Sequence, residues 1–203
     1  MDQTDLSRFL QSLSQGQSAL PNRRNALFDP AQPFRHAAVL LGIVPRNKEW
    51  QVLLTKRADT LRLHTGQIAF PGGGRDPEDT SFAATALREA HEEVGTPRDV
   101  WQTFEAMPPW YTPSGYAVHT VPALARQEPV LTPDPGEVAE AFYIPLSVVL
   151  NPALYRQRSF THLNRTVQTP SLSYLHYDIW GLTAGILYTL ADRFAQGNTA
   201  NPA

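Results

Sequence analysis

The chain has 203 residues, contains no cysteine and carries a formal net charge of −2 at pH 7. The lack of cysteine excludes disulfides, thiolate metal sites and a cysteine nucleophile, and the slightly acidic balance disfavours a nucleic-acid partner. No run reaches the ~18 apolar residues of a membrane span, and the polar start "MDQTDL" differs from a signal peptide, so we expect a cytoplasmic protein with no membrane partner.

The first half of the chain predicts two helices separated by short strands. Residues 5–15 have the apolar spacing of a helix, and the proline-rich segment that follows is typical of a loop. The apolar runs 37–44 and 50–57, joined by a polar turn, predict a β-hairpin. Residues 68–70 predict a short strand, and the spacing of alanine and leucine from about 79 to 94 predicts an amphipathic helix.

The second half predicts further strands before a final helix. Its elements are a strand over 116–125, a strand near 139–144, a hairpin within 151–169 and an amphipathic helix over 182–195. Because strands occur before, between and after the helices, we predict an α/β (α+β) fold with a mixed sheet. We expect residues 1–34 to pack on a domain of residues 35–195, followed by a flexible tail over 196–203.

The predicted helix over 79–94 carries an unusual cluster of acids. Glu89, Glu92 and Glu93 have the spacing of one helix face, where like charges repel each other. They also lie at the C-terminal end of the helix, where the helix dipole disfavours acids. A divalent cation such as Mg²⁺ or Mn²⁺ would offset both costs, since these ions prefer oxygen ligands. A solvated helix face with no ligand is the alternative.

A glycine turn, Gly72-Gly73-Gly74, precedes this helix. Glycine permits close approach of the backbone, so the turn can bring carbonyl and amide groups beside a metal or a phosphate. By itself such a turn is only a weak signal of binding. The combination of glycine turn and acidic helix is more specific than either part.

Together these residues resemble the signature of the Nudix family, Gly-x5-Glu-x7-Arg-Glu-U-x-Glu-Glu-x-Gly-U. The matching positions are Gly73, Arg88, Glu89, Glu92, Glu93 and Gly95. Three features depart from the signature. Asp79 replaces its first glutamate, and eight residues instead of seven separate Asp79 from Arg88. Thr96 occupies the final apolar position. Asp79 is a residue that often caps helices, and we predict that it is the N-cap of the acidic helix.

The resemblance implies a fold and a chemistry. Nudix proteins are α/β/α sandwiches around a mixed sheet, and they hydrolyse nucleoside diphosphates linked to another moiety with Mg²⁺ or Mn²⁺. It implies Glu89, Glu92 and Glu93 as metal ligands, with Glu89 or Glu137, which lies outside the signature, as the general base. The resemblance also places Arg88 among the catalytic residues. We expect this arginine to pair with acids and so to hold the loop and the helix in place.

The segment before the signature narrows the substrate. "LLTKRADTLRLHTGQIAFPGG" resembles the motif Leu-Leu-Thr-x-Arg-(Ser/Ala)-x3-Arg-x3-Gly-x3-Phe-Pro-Gly-Gly of coenzyme A pyrophosphatases, a Nudix subfamily. The implied reaction converts coenzyme A, its thioesters or its oxidised forms, to 3′,5′-ADP and 4′-phosphopantetheine derivatives. The residues we expect at the substrate are Arg57, Arg62, Gly73, Gly74 and Tyr116. Alternatively, the two arginines pair with acids of the helix, and the tyrosine serves packing.

Two other functions stay open at this point. One is a Nudix enzyme that acts on ADP-ribose, NADH or a dinucleoside polyphosphate. The other is a non-catalytic Nudix domain that senses a nucleotide, which the presence of all three glutamates disfavours. The sequence is compatible with a monomer or a homodimer.

Overall fold

The computed structural model describes residues 1–15, 33–58, 66–162 and 165–199. Within these residues the chain forms helices and strands in the order α1 (Gln3–Ser12), β1 (Arg35–Arg46), β2 (Glu49–Arg57), β3 (Ile68–Ala69), β4 (Gly72–Gly74), α2 (Phe82–Val94), β5 (Trp101–Thr103), β6 (Trp110–Tyr111), β7 (Tyr116–Ala125), β8 (Val138–Pro145), α3 (Leu146–Val149), β9 (Tyr155–His162), β10 (Arg165–Tyr174), β11 (Tyr177–Ile179) and α4 (Gly181–Thr199). Two short 3-10 helices, Arg98–Val100 and Pro152–Leu154, connect them.

The main sheet is mixed and comprises eight strands among the described residues. Strands β1 and β2 form the predicted hairpin, whose turn places Asn47 and Lys48 in the left-handed region with φ of 53° and 64°. Strand β1 pairs in parallel with β7, and the short glycine strand β4 pairs antiparallel with the beginning of β1. The sheet therefore fixes the glycine turn directly beside the first residues of β1.

The two faces of the main sheet bury separate apolar clusters. Ala38 and Leu40 of β1 face helix α2, where they pack with Ala86, Ala90 and other small residues. Leu41 and Ile43 belong to the cluster on the opposite face, which includes residues of α1, α3 and α4. This alternation is the period-two pattern of a strand that is covered on both faces.

A second sheet, with strand order β11-β10-β9 among the described residues, stands next to helix α4. Helix α1 buries Leu6 and Leu10, and Leu13 directly after the helix is also buried, in the same cluster as α4. The predicted α+β class with a mixed sheet is thus confirmed. None of the helices in the described part of the chain combines the length and apolar character that a bilayer span requires.

Two boundaries differ from the sequence predictions. Ser81 is the N-cap of α2, and its side chain accepts a hydrogen bond from the Ala84 amide at 3.0 Å, so the assignment of Asp79 as the cap was wrong. Asp79 instead binds Arg88, which lies in the middle of the folded helix and reaches back to it. Helix α4 continues through Thr199, so the predicted tail from residue 196 overlaps its last turn.

Candidate active site

Helix α2 carries the three glutamates of the signature, which we call the box glutamates (Glu89, Glu92 and Glu93). The helix begins at the Ser81 cap and buries Ala86, Ala90 and Val94 against the main sheet. It ends at Gly95, which adopts the left-handed conformation with φ 71° and donates its amide to the His91 carbonyl. This packing aligns the acidic turns of the helix with the glycine strand β4.

Glu93 is buried beneath the glycine turn. Only 3% of the residue is exposed, and its Oε2 accepts a hydrogen bond from the Gly72 amide at 3.2 Å. The pKa of this carboxyl rises from 4.5 to about 8, chiefly through burial and with a contribution from the charges of Glu89 and Glu137, while Gly72 and Arg57 oppose the shift. A buried acid with so little compensation is typical of a functional site rather than of a structural one.

Glu89 lies against the next glycine of the turn. A Cβ added to Gly73 would overlap the Glu89 carboxylate, so only glycine allows this close approach. Burial also raises the pKa of Glu89, although Arg88 opposes the shift. The two acids Glu89 and Glu93 therefore crowd the same glycine turn, and the charge of Glu89 contributes to the raised pKa of Glu93.

Arg88 is the centre of a polar cluster that we call the arginine hub (Arg88 with its partners). Its Nη1 donates to Glu89 at 2.9 Å and to Glu92 at 3.0 Å, and its Nη2 donates to the Gly74 carbonyl at 2.9 Å. Its guanidinium also holds both oxygens of Asp79, at 3.3 and 3.0 Å. The pKa of Asp79 falls to about 2, chiefly through its hydrogen bond to Arg88. The hub thus joins the glycine turn, the loop before α2 and two box glutamates.

Two residues from outside the signature reach this cluster. Arg57 Nη1 lies 3.8 Å from Glu93 Oε1, at a point where the pairing of β2 with β8 shifts register between Lys56 and Arg57. Arg57 Nε is a buried donor with no hydrogen-bond partner among the described residues. The second residue is Glu137, whose carbonyl accepts a hydrogen bond from the Ala58 amide, next to Arg57, at 2.8 Å. The charge of Glu137 contributes to the raised pKa of both Glu89 and Glu93.

The structure brings together most of the predicted site residues. Glu89, Glu92, Glu93, Arg88, Arg57, Gly73 and Glu137 share one region, whereas Arg62 falls outside the described residues. Arg57 pairs with an acid of the helix, as the alternative interpretation expected. Gly74 and Tyr116 line a neighbouring cleft, where the guanidinium of Arg35 lies 4.2 Å from the centre of the tyrosine ring.

The residues present fit a hard divalent cation in charge and donor type. The box glutamates supply only oxygen donors, which Mg²⁺ and Mn²⁺ prefer, and a cation would favour the ionised form of the buried Glu93. Within the described residues, no three acidic or histidine side chains already surround a common point. In this arrangement Glu89 and Glu92 are instead bound to Arg88.

Sequence reasoning missed a second set of polar residues beside the glycine turn. His36 Nδ1 and His119 Nε2 lie 3.3 Å apart, although they are far apart in the chain. They meet because β1 and β7 pair in parallel, with Ala38 opposite His119. The signal available in the sequence was a histidine within each of two apolar strands, which does not reveal their register.

Comparisons with known proteins agree with the geometry of the site. The NUDIX domain family model matches residues 34–163. A protein named uncharacterized Nudix hydrolase NudL, from Photorhabdus laumondii subsp. laumondii, is 42% identical over 159 residues, which cover 78% of this chain and 84% of that protein. Its namesake from an Enterobacter species is 40% identical over 157 residues, which cover 77% of this chain and 81% of that protein.

A solved structure shares the fold. The crystal structure of a MutT/nudix family protein from Enterococcus faecalis covers 97% of this chain and 75% of its own, with a TM-score of 0.51 and 15% sequence identity. At that identity the likeness concerns the fold alone. The family match over residues 34–163 and relatives at 40% identity or more show that this chain belongs to the Nudix hydrolase family.

Proposed function

We propose that this Nudix hydrolase cleaves the diphosphate of coenzyme A, or of its thioesters and oxidised forms, to give 3′,5′-ADP and the corresponding 4′-phosphopantetheine. The observation that carries the proposal is the segment "LLTKRADTLRLHTGQIAFPGG". Its two described ends both touch one box glutamate, since Arg57 and the Gly72 amide each approach Glu93. The segment that resembles coenzyme A pyrophosphatases therefore borders the acidic cluster.

The box glutamates are the residues that would hold the metal. A bound Mg²⁺ or Mn²⁺ ion would neutralise the charge of the diphosphate and acidify the attacking water. The arginine hub keeps Glu89 and Glu92 next to the Gly74 carbonyl, so the acids face the turn that admits the diphosphate. Among the described residues, Arg57 is the cation that pairs with the buried glutamate, and it contributes a donor to a diphosphate oxygen.

Glu137 is the better placed of the two candidate bases. Glu89 already accepts a hydrogen bond from Arg88, whereas the Glu137 side chain is exposed at the edge of the same cluster. An exposed carboxylate can take the proton from water and pass it to solvent. Glu137→Gln should lower kcat by roughly 10²- to 10⁴-fold with little change in KM, because general-base catalysis contributes about that factor. Glu89→Gln should lower metal affinity as well, and that difference separates the two roles.

A substrate panel tests the proposal. Coenzyme A, dephospho-coenzyme A, ADP-ribose, NADH and a dinucleoside polyphosphate would be compared by kcat/KM in Mg²⁺ and in Mn²⁺. The expected result is the highest kcat/KM for coenzyme A or one of its derivatives. A higher value for ADP-ribose, NADH or the dinucleoside polyphosphate would reject the proposed substrate while leaving the family assignment intact. Binding of these ligands without metal-dependent cleavage of any would indicate a nucleotide sensor.

A further inference from the structure

A cleft of about 570 Å³ opens beside the arginine hub. Its lining includes Phe34, Arg35, His36, Gly74, Arg75 and Tyr116. The cleft shares Gly74 with the hub, because the Gly74 carbonyl accepts a hydrogen bond from Arg88. A ligand whose diphosphate lies at the box glutamates can therefore extend into this cleft across one residue of backbone.

The charges that line the cleft are mostly positive. Arg35 lies over the Tyr116 ring, and Arg75 lies over the ring of Phe82 at 5.2 Å while its Nη2 donates to the Asp79 carbonyl. Among the described residues, neither arginine forms an ion pair with a carboxylate. The acidic residue in the lining, Asp76, lies 3.5 Å from Arg88, so its charge is already partly balanced.

A pair of histidines lies beside these arginines, with His36 in the lining of the cleft. His119 stacks on Phe82 with ring centres 3.5 Å apart and meets the exposed His36 at 3.3 Å. Burial, with His36 and Arg75 as further causes, lowers the pKa of His119 to about 4. Burial disfavours a charge of either sign, but the repulsion from His36 and Arg75 opposes positive charge in particular, and the two arginines of the lining favour an anion.

We propose that this cleft binds a phosphomonoester of the substrate that is separate from the diphosphate, which in coenzyme A is the 3′-phosphate, through Arg35, His36 and Arg75. A phosphomonoester carries about −1.5 to −2 charge at pH 7, and the arginine fork suits its oxygens. The Tyr116 ring supplies an apolar surface for the attached nucleoside. This inference rests on the proposed function for the identity of the substrate, but the site can be tested without any hydrolysis.

The test is equilibrium binding of adenosine 3′,5′-bisphosphate and adenosine 5′-monophosphate, measured by calorimetry in one Mg²⁺ buffer. These ligands differ only in the 3′-phosphate, so the ratio of their affinities measures how much the cleft contributes to binding that group. The wild type should bind the bisphosphate at least about tenfold more tightly, as one or two charge-assisted hydrogen bonds provide. Arg35→Gln combined with His36→Asn should reduce the ratio to below about threefold. Arg46→Gln is the matched control, because this arginine pairs with Glu128 at the other end of β1.

Each outcome decides the inference. A wild-type ratio near one, or an equal ratio in the wild type and the double variant, overturns the proposed subsite. If the double variant does not fold, as shown by its circular dichroism spectrum, Arg75→Gln in an otherwise unchanged chain gives the same comparison. A protein that does not hydrolyse coenzyme A but keeps a ratio of ten or more would refute the proposed function and leave the subsite in place.

Discussion

The buried Glu93 makes a specific prediction about stability in the absence of metal. Its pKa lies at about 8 in the folded chain and near 4.5 when the group is free in water. The folded state therefore holds a proton that the unfolded state releases between these two pH values. Because the folded state binds more protons there, the free energy of unfolding falls as pH rises from about 4.5 to about 8 and is constant above that range.

The size of the effect follows from the same two values. One pH unit corresponds to about 1.4 kcal/mol, so ionised Glu93 destabilises the metal-free protein by on the order of 5 kcal/mol above pH 8. Glu93→Gln removes the charge and keeps the shape of the side chain. The variant should equal the wild type at pH 5 and exceed it at pH 9, with a Tm higher by roughly 10–20 °C for a chain of this length.

The assay is thermal and urea unfolding in a chelating buffer from pH 5 to pH 9. Glu92→Gln is the matched control, because that side chain lies on the same helix but is 52% exposed. The wild type and Glu92→Gln should differ by no more than about 1 kcal/mol, nearly independent of pH, as surface substitutions usually do. Added Mg²⁺ should restore stability to the wild type at pH 9 and have a much smaller effect on Glu93→Gln.

Two results would refute this reasoning. If the difference between the wild type and Glu93→Gln did not change with pH, Glu93 would not titrate between 4.5 and 8 in the folded chain. If Glu93→Gln were less stable than the wild type at pH 9 in the chelating buffer, the buried charge would stabilise the fold through its bonds to Gly72 and Arg57, contrary to our account.

Three further substitutions test other parts of the site. Gly73→Ala should lower kcat by at least about 10²-fold, because the new methyl group displaces Glu89. Gly74→Ala is the control and should retain most of kcat, since its methyl group meets no atom within 4 Å. Equal losses in the two variants would show that steric overlap is not the cause. Arg57→Ala should raise KM for coenzyme A and for ADP-ribose by a similar factor, about tenfold, because Arg57 lies beside Glu93, where we propose that the diphosphate of either substrate binds. A rise in KM for coenzyme A alone would instead place the 3′-phosphate at Arg57. Asp79→Asn should weaken the arginine hub and lower the free energy of unfolding by about 2 kcal/mol at pH 7. Near pH 2 we expect no such loss, because the wild-type carboxyl is itself half protonated there. A difference in urea unfolding that does not change with pH would contradict the ion-pair assignment.

The strands and the acidic helix could be predicted because their signals are local. The strand over 116–125 has the predicted bounds, and the spacing of Glu89, Glu92 and Glu93 follows from helical periodicity alone. The resemblance then supplied what the acids do, which spacing alone leaves open.

Other features depend on contacts between distant segments, which no local pattern encodes. Asp79 and Ser81 are both good helix caps, and only the position of Arg88 in the folded helix shows that Asp79 has a different partner. Likewise, His36 and His119 become neighbours through the register of β1 against β7. Arg57 meets Glu93 at a point where the pairing of β2 with β8 shifts register, and no residue type in the sequence predicts that shift.

The central claim is that the box glutamates of this chain serve to cleave the coenzyme A diphosphate. The most direct measurement is mass spectrometry of the products that the wild type and Glu93→Gln form from coenzyme A in Mg²⁺. We predict 3′,5′-ADP and 4′-phosphopantetheine from the wild type, and a rate reduced by several orders of magnitude for a Glu93→Gln protein that is folded and more stable at high pH. Near-normal turnover by that variant, or intact coenzyme A after incubation with the wild type, would contradict the account.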